Sequence, residues 1–286
     1  MQCRGGTPWP PDRDGTESVP YDSKKENIML LVIDIGNTSI SFGVYTGKKL
    51  IGSWRISTSA RKTPDEYGVE ILDFFELERI DRRKISGIAI SCVVPSLLPV
   101  FEEISDRYFH IKPLVVGREC KLGIPILYDD PKEVGADRLS TSIAALELYK
   151  GPVIVVDFGT ATTFDVIGEK GEYVGGVIAP GIGISSQALF EKGAQLPQVE
   201  LAKPESVIGR NTRKSMQAGI VYGTIGQIRE ILTRIKEEIG GNPKIVATGG
   251  YASLIAPEVE MIDTVNQDLV LEGLRIIWER NFQGQK

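Results

Sequence analysis

The sequence predicts an α/β protein built as two similar lobes, and three observations carry that prediction. From Leu30 the chain reads as strand, tight turn, strand, hairpin turn, strand, in the pieces "LLVIDIG", "NTSISFGVY", "TGKK" and "LIGSWRIST". From Val153 the same order returns as "VIVVDFG", "TATTFDVI", "GEKG" and "EYVGGVIA". Helical stretches follow each unit. Turn residues between apolar, β-branched runs are what hairpins require. The copies run in step, with Asp34 and Asp157 lying 123 residues apart. Asp34 precedes its hairpin turn at Thr46 by 12 residues, and Asp157 precedes Gly168 by 11. Two copies of one supersecondary pattern imply an internal duplication.

The remaining elements follow in chain order. "TPDEYGVEILDFF" opens with Thr63, Pro64 and Glu66, an N-cap, an N1 proline and a capping-box acid. "ISGIAISCVVP" reads as a strand ended by Pro95, with a short helix beyond it. "VGADRLSTSIAALELY" carries Leu139, Ile143 and Leu146 at helical spacing. A long helix is expected over "NTRKSMQAGIVYGTIGQIREILTRIKEEIGG", capped by Thr212 and stopped by Gly240. Gly219, Gly223 and Gly226 lower its helix propensity, so they are expected to permit close packing. "PKIVATGG" is a strand into a glycine turn, and "LVLEGLRIIWERNF" a closing helix. The division expected is a tail over 1–28, a first lobe over 29–147 and a second over 148–286. The tail holds four prolines and scattered charges but no secretory apolar region, and Met29 would make a sensible start.

Composition narrows the function. Of 286 residues, 42% are apolar and 25% charged, enough for a substantial core. A formal net charge of -5 gives no basic footprint for nucleic acid. Three scattered cysteines and a single histidine, His110, offer neither a disulfide framework nor zinc spacing. No apolar run approaches the roughly 20 residues that cross a bilayer. The expected location is the cytoplasm.

Chemistry is concentrated at glycine turns and carboxylates. A strand ending in Asp-x-Gly leaves backbone N–H groups open, and glycine lets the main chain approach a bulky anion. Asp34 cannot bind phosphate itself, but it can hold a metal ion or its waters, which bridge phosphate oxygens. Asn37, Thr38 and Ser39 would add polar contacts. A lone Asp-x-Gly is common in ordinary turns; its recurrence at Asp157 is what favours function. The P-loop pattern is missing, and "GIGISS" fails the dinucleotide fingerprint. A third glycine turn, "VATGGYASL", could let an adenosine lie against the main chain. Asp137 falls in the first turn of a helix, where the dipole favours an ionised carboxylate suited to a general base. Arg138 could steady phosphate or a substrate carboxylate. The plainer alternative is that Asp137 caps the helix and Arg138 pairs with an acid.

Together, Asp-x-Gly-Asn-Thr at 34–38, Gly-Ala-Asp-Arg at 135–138 and "DFGTATTFD" at 157–165 resemble the type III pantothenate kinases. The resemblance runs from about Met29 to the closing helix and takes in "GGVIAPGI", "LFEKGAQLP", "GRNT" and "TGG". It implies two ribonuclease H-like lobes of the actin-like ATPase superfamily, each a mixed β-sheet with helices. It also implies ATP-dependent phosphorylation of pantothenate, the first step toward coenzyme A. By this resemblance Asp34, Ile35, Gly36, Asn37, Thr38, Ser39, Ile40 and Ser41 form the first phosphate loop, and Thr160 is a further ATP contact. Tyr128, Gly135, Ala136, Asp137, Arg138 and Thr212 would bind pantothenate, with Asp137 as general base. Asp157 matches a position associated with a monovalent cation, potassium or ammonium, and Mg2+ accompanies ATP. A homodimer is implied. The rivals are a kinase for another small alcohol and a regulatory protein that has lost catalysis. Such a regulator would be expected to lack one of Asp34, Asp137 or Asp157.

Overall fold

The structure, a computed structural model, describes residues 28–118 and 120–282; the expected tail lies almost wholly outside them. The first sheet holds β1 (Met29–Ile35), β2 (Ser39–Thr46), β3 (Lys49–Ser57), β4 (Ile85–Cys92) and β5 (Leu114–Val115), in the order β3-β2-β1-β4-β5. The second holds β6 (Val153–Phe158), β7 (Ala161–Ile167), β8 (Tyr173–Pro180), β9 (Lys244–Thr248) and β10 (Thr264–Val265). Its order, read from β8, is β8-β7-β6-β9-β10, the same topology. In each sheet the first three strands are antiparallel, and the fourth and fifth run parallel to the first.

The one-residue difference between the copies has a definite place. Four residues separate the innermost pair Ile35 and Ile40 of the first hairpin, and three separate Phe158 and Thr162 of the second. The first turn closes with Gly36 N–H donating to Ser39 O, the second with Gly159 N–H donating to Ala161 O, each at 3.1 Å.

Among the described residues seven α-helices accompany the sheets: α1 (Pro64–Leu77), α2 (Leu98–Phe109), α3 (Ala136–Tyr149), α4 (Ile182–Lys192), α5 (Thr212–Ile239), α6 (Ala252–Ile255) and α7 (Leu269–Phe282). The capping box of α1 forms as expected, with Glu66 N–H donating to Thr63 Oγ1 and Thr63 N–H to Glu66 Oε2. His110 ends α2 in the left-handed region, at φ 57°. The cap of α5 is Asn211 rather than Thr212: its Oδ1 accepts from Lys214 N–H at 2.9 Å, and the helix begins one residue earlier than expected. Gly219, Gly223 and Gly226 do not mediate close packing within the chain, since a methyl group on any of them would meet nothing within 4 Å.

Packing ties the repeats together. The outer core of the first repeat joins Leu31, Ile33, Phe42 and Val44 to Tyr67 and Ile71 of α1 and Phe101 of α2. That of the second joins Val156, Phe158 and Phe164 to Val221, Ile228 and Leu232 of α5. A third cluster lies between the sheets, where Val32 and Tyr45 meet Val155 and Ile167 through Ile143 of α3 and Leu274 and Ile277 of α7. α7 contacts β1, β2 and β4, whereas α3 contacts β6 and β7 as well as β4. The last helix of each repeat therefore packs across the boundary. At their crossing, a methyl group on Gly273 would overlap the carbonyl oxygen of Ser140.

Candidate active site

Strand alternation decides which residues reach the space between the repeats. On β1, Leu31, Ile33 and Ile35 point into the outer core, so Val32 and Asp34 face the opposite way, toward the second repeat. Ile35 and Ile40 are fully buried in that outer core, so only their backbone can serve a ligand. Ser41 pairs with Asp34 and shares its face; Asn37 and Thr38 are exposed at the turn. The equivalent turn of the second repeat reaches the same place. Thr38 Oγ1 and Thr160 Oγ1 lie 2.8 Å apart, so the two Asp-x-Gly turns touch.

Asp34 and Asp157 are held with little compensation. Asp34 Oδ1 is buried without a hydrogen-bond partner. Burial, then the charges of Asp137 and Asp157, push the Asp34 carboxyl up to about 7, with the Ser91 hydroxyl and Arg55 pulling it back. Burial, then Asp137 and Asp165, push Asp157 up to about 7 against the pull of Arg55. The third glycine turn closes on this group, since a methyl group on Gly249, at φ 91°, would overlap Asp157 Oδ1. Beyond that turn, Tyr251 and Gly183 line a cavity of about 570 Å³ with Ser186, Phe190 and Leu201.

Asp137 enters from the first turn of α3. Its Oδ1 accepts from Arg138 N–H at 2.8 Å, and a side chain at Gly135 would collide with that oxygen. Burial raises its pKa, while the N–H and charge of Arg138 act against the rise. The alternative in which Arg138 pairs with an acid is met: Nε donates to Asp165 Oδ1 at 2.7 Å. Asp165 is fully buried and also accepts from Tyr173 Oη at 2.8 Å and Thr163 Oγ1 at 3.2 Å. Burial opposes the charge of Arg138, but Asp165, with Tyr173 and Tyr128, outweighs it and holds the guanidinium ionised. Arg138 Nη2 remains buried without a partner. The rings of Tyr128 and Tyr173 lie 6.2 Å apart, and Gly176 leaves room for Nη2.

Thr212 stands apart from this group. It is exposed at the start of α5, a region whose bonds run from Arg213 to Gln198 O, Lys214 to Glu205 and Ser215 to Gly209 O. Three residues of the site escaped the sequence reading: Arg55, Asp165 and Tyr173. Asp165 had a signal, a carboxylate inside a β-branched strand at the same parity as Asp157. Arg55 and Tyr173 had none, because a basic or aromatic residue on a half-exposed strand is ordinary.

Among the described residues no group of three or more His, Cys, Asp or Glu could hold a metal ion. The unpartnered, buried oxygen of Asp34 still fits a hard cation whose other ligands are water and phosphate, the usual manner for Mg2+ in nucleotide sites. No described helix is long and apolar enough to cross a membrane.

Known proteins resemble this chain in sequence and in fold. The family model for type III pantothenate kinase matches residues 30–234. The type III pantothenate kinase of Geobacter sulfurreducens is 52% identical over 253 residues, covering 88% of this chain and 99% of its own. That of Moorella thermoacetica is also 52% identical, covering 88% of this chain and 100% of its own. Among solved structures, the ethanolamine utilization protein EutJ from Carboxydothermus hydrogenoformans superposes with a TM-score of 0.51 at 14% identity, over 86% of this chain and 89% of that one. The activator of 2-hydroxyisocaproyl-CoA dehydratase from Clostridium difficile, solved with ADPNP bound, gives 0.50 at 11% identity, over 90% and 97%. These two share the fold. The sequence relatives go further: this chain belongs to the type III pantothenate kinase family.

Proposed function

We propose that the chain transfers the γ-phosphoryl group of ATP, supplied with Mg2+, to the primary hydroxyl of pantothenate, the first step of coenzyme A biosynthesis. The observation that carries this reading is the meeting of two Asp-x-Gly turns at one cleft, with the Asp137 carboxylate acting on both aspartates. Phosphoryl transfer asks a protein for alignment and charge neutralisation more than for covalent chemistry. Backbone N–H groups of Asn37, Thr38 and Thr160, which the closing bonds of the two turns leave unused, receive the phosphates, and the Thr38 and Thr160 hydroxyls stand between them. Asp137 takes the proton of the pantothenate hydroxyl as its oxygen attacks the γ-phosphorus and ADP leaves. Its raised pKa makes it a stronger base than an exposed aspartate. Mg2+, held near Asp34, would spread the negative charge of the phosphates.

Tyr128, Gly135, Ala136 and Arg138 bind the rest of pantothenate, and the unpartnered Nη2 of Arg138 supports a carboxylate contact. Potassium or ammonium binds at Asp157, beside the Gly249 turn. The adenosine end of ATP lies toward Tyr251 and its cavity. The working form is a homodimer in the cytoplasm, its lobes spanning 29–147 and 148–286. Two features support the dimer: the exposed Leu189, Phe190, Val207 and Ile208, and the open glycines of α5. Thr212, exposed and tied to none of the other substrate residues, then reaches pantothenate from the partner subunit.

The test incubates purified protein with ATP, magnesium, potassium and pantothenate, and seeks phosphopantothenate by mass spectrometry beside a sodium-only control. Potassium-dependent product supports substrate and cation together. Product in both salts keeps the kinase and removes the cation from Asp157. Folded protein without product overturns the substrate.

A further inference from the structure

Arg55 on β3 has no part in the chemistry described so far, yet its placement is particular. It pairs across the sheet with Ser41, which pairs with Asp34, so the three stand in one row on the face turned toward the second repeat. Its Nε donates to Ser41 Oγ at 3.1 Å, which aligns the guanidinium along that row. On the far side, a methyl group placed on Gly250 would stand 4.0 Å from Arg55 Nη1. The side chain therefore spans the cleft, from the strand behind the first phosphate turn to the glycine turn of the other repeat.

The charge around it is one-sided. Asp34, Asp137 and Asp157 converge here, and neither Asp-x-Gly turn contains a lysine. The other guanidinium, that of Arg138, is committed to Asp165. Among the described residues, Ser41 Oγ is the one side-chain hydrogen-bond partner of Arg55, and no carboxylate pairs with it. It is exposed, and a cavity of about 290 Å³ lined by Ser41, Ser53, Gln267 and Asp268 beside it gives the side chain room to swing. A triphosphate entering this cleft meets three carboxylates and one uncommitted cation.

We propose that Arg55 is a catalytic residue that grips the β- and γ-phosphate oxygens of ATP and steadies the charge that builds on them during transfer. The proposal rests on the phosphotransfer reading above. A planar guanidinium with free donors suits two phosphate oxygens better than an ammonium does. Charge stabilisation of this kind is what a phosphoryl-transfer site lacking a P-loop lysine still requires.

Arg55→Gln and Arg55→Lys, made in the full chain, test it. In Arg55→Gln, kcat/KM for ATP falls about 10- to 100-fold, the size expected from losing a charge-assisted contact, while KM for pantothenate stays within about twofold. Arg55→Lys recovers part of the loss, because the charge remains and the fork is gone. Unchanged ATP parameters in Arg55→Gln overturn the proposal. So does an equal loss toward both substrates that lysine does not relieve, which marks a structural role. If the wild-type chain fails to phosphorylate pantothenate, the substrate reading falls by itself, and calorimetric titration with MgATP decides the role of Arg55. Weakened binding in Arg55→Gln then upholds the phosphate contact, and unchanged binding ends it.

Discussion

At the cleft end of the first sheet, the row across the strands reads Arg55, Ser41, Asp34, Ser91; in the second it reads Ile178, Thr163, Asp157, Thr248. The inner members match in kind, a hydroxyl beside an aspartate beside a hydroxyl. The outer members do not: a cation stands where the other repeat has an isoleucine that is 62% exposed. The helices that end the repeats differ likewise, since Asp137 is the second residue of α3 and Val270 the second of α7. Duplication thus preserved what shapes the two Asp-x-Gly turns, and divergence fell on the positions that the proposed mechanism turns toward a substrate. On the proposed mechanism the first repeat supplies base and cation. The second supplies Asp165, which orients Arg138, and an open apolar edge.

The largest test of that asymmetry is Asp137→Asn. The amide cannot accept the hydroxyl proton, so kcat should fall by about 10²–10⁴ with the circular-dichroism spectrum unchanged. Turnover within a few-fold of wild type would remove Asp137 from the chemistry and restore the plainer reading of a helix-capping acid.

The repeats also share a seam, and Gly273→Ala probes it. The added methyl meets the Ser140 carbonyl, which is backbone and cannot rotate away, so α3 and α7 must separate. A loss of about 2–3 kcal/mol is expected from the urea midpoint. Gly219→Ala on the open face of α5 should instead gain about 0.5–1 kcal/mol of helix stability in the monomer. Equal effects at the two glycines would deny the seam its special packing.

Asp165→Asn separates the roles of the repeats more finely. It weakens the hold on Arg138 Nε and leaves a buried guanidinium poorly paired. KM for pantothenate should rise about tenfold or more while KM for ATP changes little. A rise confined to ATP would contradict the arrangement.

How legible this was depends on whether the signal was local. The duplicated strands, the capping box of α1 and the extent of α7 follow from alternation, capping chemistry and periodicity, all of them short-range. β5 and β10 have two residues each, too few for any alternation, and exist because a parallel neighbour completes them. α4 went unread because "GIGISSQALFEK" opens with two glycines and carries no side-chain cap. In the site, aspartates beside glycine in apolar strands announced themselves. Arg55 did not, because its meaning lies in Gly250, reached only when two distant segments meet across the cleft. The glycines of α5 were legible only in part: low helix propensity pointed to close packing, but nothing among the described residues packs against their open faces.

The smallest effect concerns Asp34 and carries a sign that the structure fixes. Its carboxyl sits at about 7 in the folded chain, against roughly 4 in an unfolded one. Between those values the folded protein keeps a proton that the unfolded chain has released, so stability falls as pH rises from about 4 to about 7. Asp34→Asn removes the burden of an ionised, unpartnered oxygen. At about pH 8 the variant should be more stable than wild type by about 1–3 kcal/mol, and the gap should narrow as the pH approaches 4. MgATP should raise the melting temperature of wild type more than that of the variant, because a cation beside Asp34 relieves the same burden. A variant less stable than wild type by one constant amount at every pH would mean that Asp34 holds the turn together. In that event the unpartnered oxygen would not be the cost that the first repeat bears for its phosphate site, and Asp34 would resemble an ordinary turn aspartate after all.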